Sequence, residues 1–154
     1  MAEYSFASQQ TVNPNETVIF TESPVPCTRG FVRHRDGTGN FLLRGYVPVK
    51  NGCRAQSALY LIEFGANVSV PTGQTVPTEG ISLAITIDGA TIPASTMIVT
   101  PADVENFFNV SCAVNAQIWR GCCESVSVKN TSSIPISVQN ANIVITRPDL
   151  AVTY

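Results

Sequence analysis

Apolar and polar positions alternate with a period of two along most of this chain, the signature of half-buried strands. In ISLAITIDG (residues 81–89) Ile81, Leu83, Ile85 and Ile87 take one face; Ser82, Ala84, Thr86 and Asp88 take the other. Asp88-Gly89 then supplies a two-residue turn that tolerates positive φ, with ATIPAS as the returning partner. In ENFFNVSCAVNAQIW, Phe108, Val110, Cys112, Val114, Ala116 and Ile118 share one face, which assigns Cys112 to the core as a small hydrophobe. ALYLIEFGANVSVP, ESVSVKN and a closing pair, PISVQ and NIVITRP, fit the same mould. One stretch reads as helix. In TPADVEN, Thr100 is a candidate cap, Pro101 suits a first turn and Asp103 completes a capping-box pattern, which predicts a turn or two.

Short strands at regular spacing, without a helical layer, predict an all-β sandwich or barrel. At 154 residues the chain can bury a core of its own. Neither an internal repeat nor a second-domain boundary is visible. Residues 1–25 are expected to form an N-terminal arm or first strand, a candidate attachment segment, and 26–154 the main domain.

Composition adds assembly to this picture. Charged residues are only 13% of the chain, against roughly 25% in an ordinary soluble domain, while hydrophobics stand at 44%. A surface so poor in charge suits a protein that buries its exterior against other subunits. The beginning, MAEYSFASQQTVNPNETV, lacks the basic start and apolar run of a signal peptide. No run of about 20 apolar residues is present, so no membrane contact is expected. The five cysteines, Cys27, Cys53, Cys112, Cys122 and Cys123, are an odd count, for which free thiols are the default. A zinc site and disulfides formed after release stay open as alternatives.

The chemistry on offer is sparse. The one histidine, His34, stands alone, carboxylates are scattered singly, and no phosphate loop, nucleophile elbow or metal-ligand spacing occurs. No catalysis and no cofactor are expected. The feature that stands out is CTRGFVRHRDGTGNFLLRG (residues 27–45): six of the nine Lys and Arg residues fall between Arg29 and Arg54. Read as a hairpin turning at Asp36–Asn40, it puts Phe31, Arg33 and Arg35 on one face and Val32 and His34 on the other, with Arg44 joining the arginines from the returning strand. Arg33, Arg35 and Arg44 are thus a candidate docking strip for acidic groups on a capsid or neighbouring subunit; the alternative is a solvated hairpin face. Nucleic acid is not expected, because the net charge is −2 and stacking aromatics are missing beside the strip. His34 reads as a packed histidine. Trp119, at a strand end, reads as a rim-packing aromatic or as a contact for a surface partner such as a glycan.

Two resemblances sharpen these expectations. YLIEFGANVSV, ISLAITIDGATIPAS and FFNVSCAVNAQIWRGCCESVSVKNTSSIPISVQNANIVITR resemble, in pattern and order over roughly residues 55–147, the jelly roll of the tumour-necrosis-factor and complement globular-head superfamily, in its spore-surface and bacteriophage branch. This implies a jelly-roll sandwich of about 8–10 antiparallel strands forming a compact homotrimer. CTRGFVRHRDGTGNFLLRGYV, followed by CRA, TMIVTPADVENFFNV and RGCC, is similar to small proteins of tailed phages regarded as head fibres or decoration proteins. That similarity implies a structural virion protein on the capsid exterior, partnered by the major capsid protein and assembled in the host cytoplasm. The alternative is a receptor- or glycan-binding adhesion module of a phage, spore or cell surface, with a host glycan or protein as partner.

Overall fold

The computed structural model describes residues 1–49 and 52–150. Twelve strands are found among them: β1 (Ala2–Phe6), β2 (Gln10–Val12), β3 (Glu22–Val25), β4 (Val32–His34), β5 (Phe41–Arg44), β6 (Ser57–Ser69), β7 (Ile81–Ile87), β8 (Ala90–Thr91), β9 (Met97–Val99), β10 (Phe108–Trp119), β11 (Cys123–Asn130) and β12 (Ile136–Thr146). They form two antiparallel sheets. The first runs β10-β6-β12-β1-β3, with β2 also on β12; the second runs β4-β5-β11-β7-β8, with β9 also on β7. Residues 1–25 thus supply three strands of the first sheet, and β1 lies between β12 and β3. The chain is a jelly-roll sandwich.

Alternation explains the core. The inward positions of the first sheet carry Tyr4, Ile62, Phe64, Val68, Ile118, Ile143 and Ile145; those of the second carry Phe41, Leu43, Leu83, Ile85, Val126 and Val128, all buried. At about 25 cal/mol per Å² of apolar surface, such side chains contribute about 1.5–3 kcal/mol each. Asp88 and Gly89 take φ of 47° and 82°, and Thr86 pairs with Thr91 across them, so the two-residue hairpin forms as its sequence predicts.

Several details depart from the pattern. TPADVEN is a bend rather than a helix. Glu105 adopts φ 60°, its N–H bonds to the Val70 carbonyl at 2.8 Å, and its carboxylate accepts from the Thr72 N–H and hydroxyl. Those ties to the end of β6 take up the groups that a helix would need. Short 3₁₀ turns occur instead at Pro93–Ser95 and Pro148–Leu150. The expected closing pair is one continuous strand, β12, which absorbs Asn140 (φ 54°) as a bulge between Gln139 and Asn142. On β7 both faces are covered. Thr86 is fully buried, its hydroxyl 2.6 Å from that of Ser127, and Lys129 reaches across to the Gly89 carbonyl at 2.9 Å.

Candidate functional site

The arginine-rich stretch is a hairpin. β4 and β5 pair Val32 with Leu43, Arg33 with Leu42 and His34 with Phe41. Its tip is held by the Thr38 hydroxyl on the Arg35 carbonyl at 2.7 Å, and by exchanged backbone bonds with Phe20 (Phe20 N–H to the Thr38 carbonyl, Gly37 N–H to the Phe20 carbonyl). Gly39 passes so close to Thr17 and Val18 that any side chain there would collide with backbone. His34 is a packed histidine: its ring stacks on Phe41 with centroids 4.3 Å apart. Its nitrogens lie 3.1 Å and 3.2 Å from the Asn40 and Phe20 carbonyl oxygens. Phe31 does not share the arginine face. It precedes β4 and is buried against Tyr60, with ring centroids 6.1 Å apart.

Arg33 and Arg35 are exposed and line an open depression of about 450 Å³ with His34, Thr38, Asn40, Leu42 and Ser125. Arg44 shares their face by register, yet it lines a neighbouring depression of about 380 Å³. There it meets Arg54 and Arg120, beside Tyr46, Gly121 and the Cys122-Cys123 pair. Composition alone did not join Arg54 or Arg120 to Arg44. The signal lies in strand pairing: β10 runs antiparallel to β6 with Trp119 opposite Ser57, so the RGCC turn must fall beside the segment that leads into β6.

This second depression is built from the core outward. Tyr60, fully buried, places its hydroxyl 2.5 Å from the Arg44 carbonyl and 3.0 Å from that of Phe31. Arg147, only 3% exposed, lies 4.9 Å above the Tyr60 ring. Its Nη1 donates to the Tyr46 carbonyl at 3.0 Å, and Nε and Nη2 clasp Asp149 at 2.7 and 2.6 Å. The chain is therefore pinned on both sides of Gly45, whose own N–H bonds to the Cys122 carbonyl at 2.8 Å. A Cβ at Gly45 would overlap the Trp119 carbonyl. The opposite wall is the turn 119–122, with Gly121 at φ 83°, Cys122 N–H bonded to the Trp119 carbonyl and Arg120 N–H to the Gln56 carbonyl. The Arg147–Asp149 contact is the only ion pair among the described residues, so Arg44, Arg54 and Arg120 surround the depression without carboxylate partners.

Two further surfaces matter. On the outward side of the first sheet, Leu59 is 41% exposed, with Leu61 and Val144 half-buried beside it. Glu63 is the only charged residue on the outward positions of β10, β6 and β12. The sheet edge is β10, twelve residues long, flanked by exposed Phe107 and Phe108 at one end and Trp119, 56% exposed, at the other. Phe108 has the inward parity of Val110 but sits past the core. Cys112 does face inward, half-buried because its strand is the edge, and burial pushes its thiol pKa up. Among the described residues, no three His, Cys, Asp or Glu side chains gather as a metal site.

No family model and no curated protein matches the sequence. Solved structures do resemble the fold. The Eiger TNF of S. frugiperda superposes with a TM-score of 0.61 at 12% identity, covering 100% of this chain and 94% of that one. The globular domain of zebrafish complement 1qA gives a TM-score of 0.57 at 12% identity, covering 93% and 94%. A family 35 carbohydrate binding module from an environmental isolate reaches 0.41 at 12% identity, covering 97% and 95%. The first two match the jelly roll in shape; the third is too distant to add to it.

Proposed function

We propose that this chain is a non-catalytic structural protein that assembles as a homotrimer. In this reading it is a head fibre or decoration protein on the capsid exterior of a tailed bacteriophage, bound to the major capsid protein. The observation that supports it is the outward face of the first sheet, where the outward positions of β10, β6 and β12 include Leu59, Leu61 and Val144 and carry one charged residue, Glu63. Beside this face runs a long, apolar-tipped edge strand, and such edges are paired or covered in stable proteins. Laying the edge of one copy on the face of the next is a heterologous contact, which closes into a ring when the rotation permits. Three copies then form a rigid knob. The phage setting rests on the sequence resemblance in the hairpin and RGCC segments.

Docking falls to the arginines of the hairpin face. Arg33, Arg35 and Arg44 point outward from the second sheet, opposite the proposed subunit contact, and suit an acidic capsid surface. Cryo-electron microscopy of the native particle tests the placement: density for this jelly roll on the capsid exterior is expected, and its absence from every particle surface would overturn the reading. A second reading, an adhesion module for glycans, is favoured by the depression around Arg44, Arg54 and Arg120.

A further inference from the structure

We propose that Arg44, Arg54, Arg120 and Tyr46 form a binding site for an acidic carbohydrate, with the guanidinium groups on a sugar carboxylate and the phenol ring beneath a sugar face. This proposal rests on the glycan-binding reading of the same depression; the site shares Arg44 with the docking strip and adjoins Trp119 at the end of β10, so it is tested on the isolated chain with no capsid present. Three arginines from three separate segments line one depression of about 380 Å³, within the range of about 300–1,000 Å³ usual for small-ligand sites. Among the described residues these three arginines have no carboxylate partner, and like charges brought together in this way repel one another, an arrangement that an arriving anion relieves. A guanidinium is a planar fork of donors that matches a carboxylate bidentately.

Preorganisation is the second observation. The backbone that carries Arg44 and Tyr46 is held from below by Tyr60 and Arg147, and Gly45 is locked against the 119–122 turn. Tyr46 is held at its carbonyl while its side chain stays outside: the residue is 66% exposed. A fixed backbone with an exposed ring is poorly explained as core packing and well suited to a flat apolar ligand face. The partner chemistry follows from the remainder. Nucleic acid is disfavoured by the net charge of −2. A free inorganic anion would leave the Tyr46 ring unused. A uronate-type sugar uses both the ring and the arginines.

The test uses the full chain and the emission of Trp119, its only tryptophan, adjacent to Arg120. The chain is titrated with an oligosaccharide of alternating glucuronic acid and N-acetylglucosamine, with a neutral chito-oligosaccharide of equal length, with inorganic phosphate and with oligoglutamate. Amide shifts at Gly121 provide a second readout. The acidic sugar should bind at least about tenfold more tightly than the other three, and Arg54→Ser or Arg120→Ser should each weaken it about tenfold. Tyr46→Ala should weaken the sugar but leave the phosphate response unchanged. The particle mass of each variant, measured alongside, should equal that of the wild type, which separates failure of this site from failure of assembly. The proposal is overturned if the neutral sugar binds equally, if oligoglutamate binds as tightly as the sugar (an acidic protein face instead), or if none binds.

Discussion

Arg147 gathers three side-chain hydrogen bonds, an ion pair and a cation–π contact in one buried guanidinium. It closes the run NIVITR and is almost fully buried, with its charge shared among Asp149, the Tyr46 carbonyl and the Tyr60 ring. Arg147→Ala should cost about 2–4 kcal/mol, a large share of the 5–15 kcal/mol typical of a domain, by urea denaturation. Arg147→Lys should recover only part of this, because an ammonium cannot reproduce the fork. Burial alone would raise the Asp149 pKa, but hydrogen bonds from Arg147 and the Leu59 N–H, with the Arg147 charge, outweigh it and hold the carboxyl below its ordinary value. A carboxyl depressed in the native state stabilises fully above its unfolded pKa, near pH 4, and that contribution fades as pH falls through the lower native value. Asp149→Asn should therefore flatten stability against pH below about 5 relative to wild type. Cys112 supplies a separate check. Its half-buried thiol, with a raised pKa, should react with iodoacetamide far more slowly than exposed Cys53, Cys122 and Cys123, and should become equivalent to them on denaturation. Fast native labelling at Cys112 would contradict the inward parity of β10.

At the scale of elements, the strands were legible wherever one face alone was buried. FFNVSCAVNAQIW alternates because β10 puts one row of side chains into the core; ISLAITI keeps the alternation although both faces of β7 are covered, because its second face carries the small Ser82, Ala84 and Thr86; and DG marked its turn because both residues need positive φ. What stayed hidden was decided by distant partners. TPADVEN carries helix signals, but Glu105 is tied to Val70 and Thr72, residues far off in sequence. The closing pair read as two strands because a bulge at Asn140 interrupts the alternation without ending the strand. Phe31 followed the parity of Arg33 on paper, although the strand begins one residue later. The candidate site was half legible: Arg33, Arg35 and Arg44 were visible as a cluster, whereas Arg54 and Arg120 join Arg44 only through the β6–β10 register. The same register explains Gly45, which must pass beneath the Trp119 carbonyl. Gly45→Ala should destabilise by about 2 kcal/mol or more, since neither backbone can yield easily, while Gly73→Ala, in open space, should cost only its positive φ of 89°, about 1 kcal/mol. Equal effects of the two by thermal denaturation would remove the close contact from the account of the depression.

For the whole molecule, the two sheets divide the work proposed here. The outward side of the first sheet is poor in charge along β10, β6 and β12, with Leu59, Leu61 and Val144 set among Ser, Asn and Gln, and is fit for another copy; the outward side of the second carries the arginines, fit for an acidic partner. Changing Arg33, Arg35 and Arg44 to Ser should leave stability within about 0.5 kcal/mol per site, because their side chains make no hydrogen bond or ion pair among the described residues. The same change should sharply weaken capsid decoration and leave what remains less dependent on salt, since exposed charge pairs are screened over roughly 8–10 Å. Unchanged decoration in a co-sedimentation assay would remove the strip from docking. Leu59→Asp, on the other sheet, should do the reverse: a charge buried in the subunit contact is costly, so the trimer should dissociate into folded monomers. The most direct measurement is the mass of the purified wild-type chain by multi-angle light scattering at micromolar concentration. A single species of 3 × 16.5 kDa, about 50 kDa, is expected for a closed ring of three; a stable species of 16.5 kDa across that concentration range would contradict the assembly on which the proposed function depends.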